Sequence, residues 1–422
     1  MWARKRIDIG WIDLVIAAIH CVGSRSRPTA IRLAACAFDA DGLTVPCLSV
    51  RSGFDLLLAA LQLPAGSEVL VSAITIPDMV RILTHHRLVP IPIDLHPEDM
   101  SVRSDRLQQA LTSKTKAILV AHLYGGRIDL TPVIEFARRH DLYVWEDCAQ
   151  AFAGQSYHGS EAAGYHGSDA ADVSMFSFGP IKTATALGGG LLRIRDDRIR
   201  NAVHDRQAQY PVQSRFRFLR RVLFYALLKW LGGRLIFGLF LRICAAFGMQ
   251  PDRVLNGSVR NFSQTDLFAA LHYQPSTPLL RLMTRRIKTY RQADLNRRTE
   301  LGRLLTQLLS AQACPGSQAD PHSFWIFPLR VVEKAHALAA LRRAGFDATA
   351  ESSLRIVPSP SDRHPLKPET ATEILETTIY LPLYAAMPIA EVQRMAQILQ
   401  AQVTSAIASQ DRVDAEHPGN SL

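Results

Sequence analysis

At 422 residues, 48% hydrophobic and 20% charged, the chain has the material for a large buried core and about two domains. Its six cysteines (Cys21, Cys36, Cys47, Cys148, Cys244 and Cys314) form no C-x-x-C pair and no zinc-like spacing, so no metal site is expected and a reduced, cytoplasmic compartment is the simplest reading. The formal charge of +10 draws on basic residues gathered between 198 and 303, but no helix-turn-helix, zinc-finger or RNA-binding signature accompanies them, which excludes nucleic acid as a partner.

In chain order, residues 1–23 open on an apolar stretch that mimics a secretory signal. Asp8 and Asp13 interrupt it and no small-x-small cleavage site follows, so a helical arm is expected. A short helix is expected over 56–61. Strands are expected at 69–74, 90–94, 117–121, 143–147, 173–178 and 190–194, with helices at 78–86, 104–111 and 130–140. Such alternation predicts a mostly parallel sheet covered on both faces. Gly189-Gly190 suits a turn or a close backbone approach.

Residues 215–249 are apolar but cut by Lys229, Arg234 and Arg242, so no run reaches the ~20 residues of a membrane span. Two short helices broken near Gly232-Gly233 and flanked by arginines would make peripheral contact with anionic lipid, cover a dimer contact, or wall the site. Beyond 257 the pattern is helical over 264–309, then mixed over 324–354 and 379–402. Residues 410–422 are polar and aperiodic, as in a frayed tail.

Two segments carry chemistry. VWEDCAQ (144–150) reads as a buried parallel strand that delivers a carboxylate to its carboxyl end, where open α/β sheets bind ligands. MFSFGPIKTATALGGG (175–190) places Lys182 in a Ser/Gly/Thr-rich loop. An amine to take an aldehyde, with a carboxylate to keep a pyridinium nitrogen protonated, is the pair that pyridoxal 5'-phosphate (PLP) requires.

The run from 49 to 196, with SGFD, HLYG, WEDCAQ and FSFGPIK in that order, resembles the DegT/StrS group of fold-type I PLP enzymes, mostly nucleotide-sugar aminotransferases. Weaker likeness returns at 257–271 and at 378–384 (TIYLPLY). The resemblance implies an α/β architecture: an arm (1–48), a large PLP-binding domain with a mostly parallel sheet between helices (49–256), a smaller C-terminal α/β domain (257–405) and a flexible tail (406–422).

It also implies roles for individual residues. Lys182 would carry PLP as a Schiff base and relay a proton, Asp147 would pair with the pyridine nitrogen, Gln150 would lie near the phenolic oxygen, and Ser177 would bind the phosphate. Gly53 and Phe54 occupy the family's S-G-T-A turn and would offer backbone N–H groups to that phosphate, although Phe54 replaces a threonine and Asp55 an alanine. Asn261 matches an asparagine that reaches the phosphate from a partner subunit, implying a homodimer with shared active sites. His122 and Tyr124, and further His158 and Arg355, are candidate substrate contacts.

Three departures weaken the inference to a nucleotide-linked sugar. Ile76 stands where many relatives put an aromatic, Gly179 where sugar aminotransferases often have a histidine, and Ser263 where an arginine usually follows the asparagine. The implied activity moves an amino group from an amino-acid donor, glutamate by resemblance, to a keto or aldehyde acceptor, either a nucleotide-linked sugar or a lipid-linked substrate. The alternatives are a dehydratase-like PLP enzyme, against which the presence of Lys182 counts, and a non-catalytic module that binds a membrane or partner.

Overall fold

The computed structural model describes residues 1–3, 7–23, 26–154, 165–231, 267–361 and 366–400. Seven strands form the central sheet: β1 (Thr44–Cys47), β2 (Glu68–Ser72), β4 (Val89–Ile93), β5 (Thr115–Ala121), β6 (Tyr143–Asp147), β7 (Val173–Ser177) and β8 (Gly190–Ile194). Their order is β1-β8-β7-β6-β5-β2-β4, and β8 alone runs against the rest. The strands are apolar on both sides because helices cover both faces. Val69 and Val71 enter the core beneath α3 (Val50–Leu61) and α4 (Pro77–His85), whereas Leu70 enters the core beneath α5 (Ser104–Ala110) and α6 (Thr131–Arg139).

The expected strands and their connecting helices are present to within a few residues. Two differences have physical causes. The helix expected from 56 begins at Val50, because the Ser49 side chain accepts from Ser52 N at 3.1 Å and caps it six residues earlier than the turn-like SGFD suggested. Residues 44–47, expected in the arm, are the sheet's edge strand, and Thr44 to Cys47 pair with Arg193 to Gly190.

The rest of the N-terminal segment is fastened at several points. Trp2 sits in the C-terminal core, where its N–H donates to Gly345 O at 2.8 Å. After α7 (Asp197–Ala208) come α8 (Arg215–Leu231), α9 (Leu267–Leu271) and α10 (Thr277–Lys288); α1 (Trp11–Val22) and α2 (Arg27–Phe38) pack on α10, and α1 packs also on α8. Asp13, read from sequence as an interruption of an apolar run, anchors α1. Its carboxylate accepts from Arg285 Nε and Arg286 Nη1, each at 2.7 Å.

C-terminal to these elements, β9 (Phe327–Arg330) pairs antiparallel with β11 (Thr378–Leu381). Helices α11 (Gln292–Leu309) and α12 (Lys334–Arg343), with a helix over 389–400, close a separate core around Phe327, Leu329, Ile379 and Leu381. A two-residue strand, β10 (Arg355–Ile356), reaches back to pair with β3 (Ile74–Thr75) of the large domain. Helix α8 is continuous to Leu231, and no described helix is long and apolar enough to cross a membrane. The expected break at Gly232-Gly233, together with His158, Asn261 and the tail, lies outside the described residues.

Candidate active site

A cleft of about 1750 Å³ lies between the carboxyl edge of the sheet and the C-terminal domain. Three neighbouring parallel strands feed it: His122 follows β5, Asp147 ends β6 and Ser177 ends β7, and all three line the cleft.

Asp147 is half-buried, and its Oδ1 accepts from Ala149 N at 2.9 Å. Oδ2 has no donor among the described residues. Burial pushes the Asp147 carboxyl up, opposed by the Ala149 N–H, Lys182 and His122. Among the described residues the site thus holds a carboxyl short of one donor, whose charged form burial disfavours more than its neighbours favour it. Lys182 answers from the loop between β7 and β8. Burial pushes its amine down to about 8, with Asp147 opposing the shift and Arg51 adding to it. Its Nζ stands 4.1 Å from the centroid of the Trp325 ring.

The lysine loop is pinned from several sides. Ala186 N and Gly188 N donate to Phe178 O, Ala184 N donates to Asp8 Oδ2 at 2.9 Å, and Trp325 Nε1 donates to Ile181 O at 3.0 Å. Ala184 and Leu187 adopt φ values of 52° and 61°, backbone strain that these ties sustain.

Gln150 Oε1 accepts from Tyr124 N at 2.8 Å, which fixes the amide and leaves its NH₂ without a partner among the described residues. Behind Asp147, buried Glu146 accepts from His122 Nε2 at 2.7 Å, Ser174 Oγ at 2.6 Å, Ser168 N at 3.0 Å and the Tyr165 hydroxyl. Burial pushes the Glu146 carboxyl up, but His122, Ser174 and Tyr165 outweigh it and hold the group at about 2. Glu146 could join His122 and Cys148 as ligands, since their donor atoms lie within 4.8 Å of one another. Its oxygens are already taken by protein donors, so the trio reads as a hydrogen-bond network under the cleft floor.

Two of the expected contacts are corrected. Gly53 and Phe54 do not face the cleft. Gly53 N donates to Ser49 O at 3.0 Å inside the helix, and a Cβ at Gly53 would lie 2.1 Å from Leu192 Cδ1, so this glycine serves the packing of α3 on β8. Phe54 is fully buried, edge-on to Trp145 at 5.7 Å. Because α3 starts earlier than expected, its N-terminal turn is made by Val50 and Arg51, which do line the cleft. Asp55 points away, toward His86 Nε2 at 2.9 Å and His272 Nε2 at 3.1 Å. Tyr124 is the second correction: its ring is fully buried beside Tyr380 and does not line the cleft, and its backbone orients Gln150 instead.

Arg355 lines the cleft as expected of a substrate contact, carried there by the β10–β3 pairing. Ile76 and Gly179 line it as well. Sequence reasoning passed over Arg51, Arg298 and Trp325. Arg51 is the neighbour of the flagged SGFD motif; Arg298 and Trp325 come from the other domain and carry no local signal.

Residues 34–215 match the model of the DegT/DnrJ/EryC1/StrS aminotransferase family. Over these residues the chain is similar to that family. Over 153 residues the chain is 32% identical to the GDP-perosamine synthase of Caulobacter vibrioides, covering 36% of this chain and 40% of that protein. Over 194 residues it is 30% identical to the UDP-N-acetyl-3-dehydro-alpha-D-glucosamine 3-aminotransferase of Acidithiobacillus ferrooxidans, covering 46% and 50%. The chain thus spans half or less of the length of these curated relatives. The whole fold resembles the aminotransferase TlmJ from Streptoalloteichus hindustanus, at 17% identity and a TM-score of 0.65, over 97% of this chain and all of that one.

Proposed function

We propose that the chain is a PLP-dependent aminotransferase that moves an amino group from an amino acid, with glutamate the expected donor, to a carbonyl carbon of a sugar-like acceptor. The observation that carries this reading is the pairing, in one cleft, of a half-buried amine held at about 8 with a carboxylate whose Oδ2 has no donor among the described residues. The cleft residues fit the cofactor. Asp147 would hold its ring nitrogen, the Gln150 NH₂ its phenolic oxygen, and Ser177 with the N-terminal turn of α3 its phosphate. When bound, PLP supplies an electron sink for charge developing at the substrate carbon.

The protein's part is positioning and proton handling. A Lys182 amine near 8 is partly neutral at neutral pH, so Nζ can take a proton from the substrate carbon and return it. Asp147 stays ionised when a cation stands beside it, and the pinned loop keeps Nζ over the cleft. Ile76 offers an alkyl group to one wall. The acceptor class rests on the names of the relatives and on the family match over 34–215. A homodimer with shared sites belongs to the same reading and rests on the resemblance at Asn261.

The absorbance spectrum with PLP and L-glutamate tests the reading. The native protein is expected to show a band near the visible edge that moves toward the ultraviolet with glutamate, and Lys182→Ala is expected to lose both. A native protein that shows no band after added PLP overturns the proposal and leaves a binding role.

A further inference from the structure

Helices α1 and α8 lie side by side, and each turns a second apolar face outward. On α1 that face is Trp11, Ile12, Val15, Ile19 and Val22, each at least 50% exposed; on α8 it is Phe216, Leu223, Leu227 and Trp230, each at least 52% exposed. The spacing of three and four residues aligns each set along one side of its helix. The inward sides are already filled. Leu14, Ala17 and Cys21 of α1 and Phe218, Val222 and Tyr225 of α8 share one core, and the only carboxylate of α1, Asp13, is turned inward onto Arg285 and Arg286. A helix with its acid inside and its isoleucines in water reverses the usual soluble pattern, and an apolar patch of this kind marks an interaction surface.

The charges on the patch select the partner. Helix α8 carries Arg215, Arg217, Arg220, Arg221 and Lys229 and no acid, and Arg215, Arg217 and Arg220 are exposed. A second copy docked through the same face would bring these arginines toward their own equivalents with no outward carboxylate on either helix to pair them. An anionic bilayer supplies what is missing, with acyl chains for the apolar residues and phosphates for the arginines. Trp11 and Trp230 would sit at the boundary between the two, where tryptophan is favoured. The face is also continuous with the cleft, whose lining includes Trp11, Ile12, Leu228, Lys229 and Leu231.

We propose that α1 and α8 together dock the protein on an anionic phospholipid surface, so that a lipid-borne carbonyl acceptor enters the cleft directly from the bilayer. The docking stands on the surface alone, and the acceptor clause rests on the aminotransferase reading.

The test is flotation of the full chain with vesicles of phosphatidylcholine alone and of phosphatidylcholine mixed with phosphatidylglycerol. The native protein is expected to float with the anionic vesicles only, less so at high salt, with a blue shift of tryptophan emission. The double variant Ile19→Glu/Leu227→Glu is expected to bind roughly tenfold more weakly or worse. Arg220→Glu, a surface change that spares folding, is expected to weaken binding to a smaller degree. None of these residues lines the cleft, so the response of the absorbance band to glutamate is expected to persist in all variants. Loss of that response with flotation intact would remove the aminotransferase reading and leave the docking surface. A native protein that fails to float with anionic vesicles, or variants that float as well as it does, would overturn the proposal. A native dimer that the double variant converts to monomer, with no flotation, would assign the face to a second copy.

Discussion

The two walls of the cleft are built on opposite principles. The inner wall is a row of polar groups at the ends of adjacent parallel strands, most of them held by a backbone or side-chain partner: Asp147 by Ala149 N, Gln150 by Tyr124 N, His122 by Glu146. The outer wall is drawn from α1, α8, α10 and the C-terminal domain, and supplies arginines, apolar residues and Trp325. Pre-organised hydrogen bonds suit the wall where a proton moves, because misplacement there costs rate. On the proposed reading, recognition falls to the outer wall, whose elements lie outside the sheet.

The largest test of this contrast is Asp147→Asn. The isostere keeps the shape of the inner wall and removes its charge, so kcat is expected to fall roughly a hundredfold or more with little change in thermal stability. A comparable loss of Tm with kcat intact would mean that Asp147 is a structural strand-end residue.

Next in size is Phe54→Thr, which restores the family's hydroxyl in the turn. Because Phe54 is fully buried against Trp145, the substitution is expected to cost about 3 kcal/mol of stability, read as a drop in Tm, and to leave PLP affinity unchanged. Tighter PLP binding at unchanged Tm would return the phosphate site to Gly53 and Phe54 and remove it from the N-terminal turn at Val50 and Arg51.

That test also marks where the sequence was legible. Strand ends and the Lys182 loop could be read because their signals are local: apolar runs that close on WED and on FSFGPIK sit at the carboxyl edge by the geometry of parallel strands. The start of α3 could not, because the resemblance drew attention to SGFD while a lone serine three residues upstream capped the helix. The outward face of α1 was hidden for another reason. Its periodicity shows that one side is apolar, but only packing reveals that both sides are, and that Asp13 is an anchor for Arg285 and Arg286. Trp325 and Arg298 reach Lys182 and Thr183 across the domain boundary, a proximity that no spacing encodes.

The smallest expected effect falls on the outer wall. Arg355 is exposed, and its Nη1 donates to the carbonyls of Ser352 and Leu354, each at 2.7 Å, leaving the rest of the guanidinium to face the cleft. A solvent-accessible charge contributes modestly, and it contributes to ground state and transition state alike unless the reacting atoms touch it. Arg355→Met is therefore expected to raise KM for one of the two substrates roughly tenfold with kcat nearly constant and the absorbance band unchanged. Comparing KM for glutamate with KM for the acceptor identifies which substrate carries the anion that Arg355 meets. A fall in kcat at constant KM would place Arg355 with the inner wall and dissolve the division between the two.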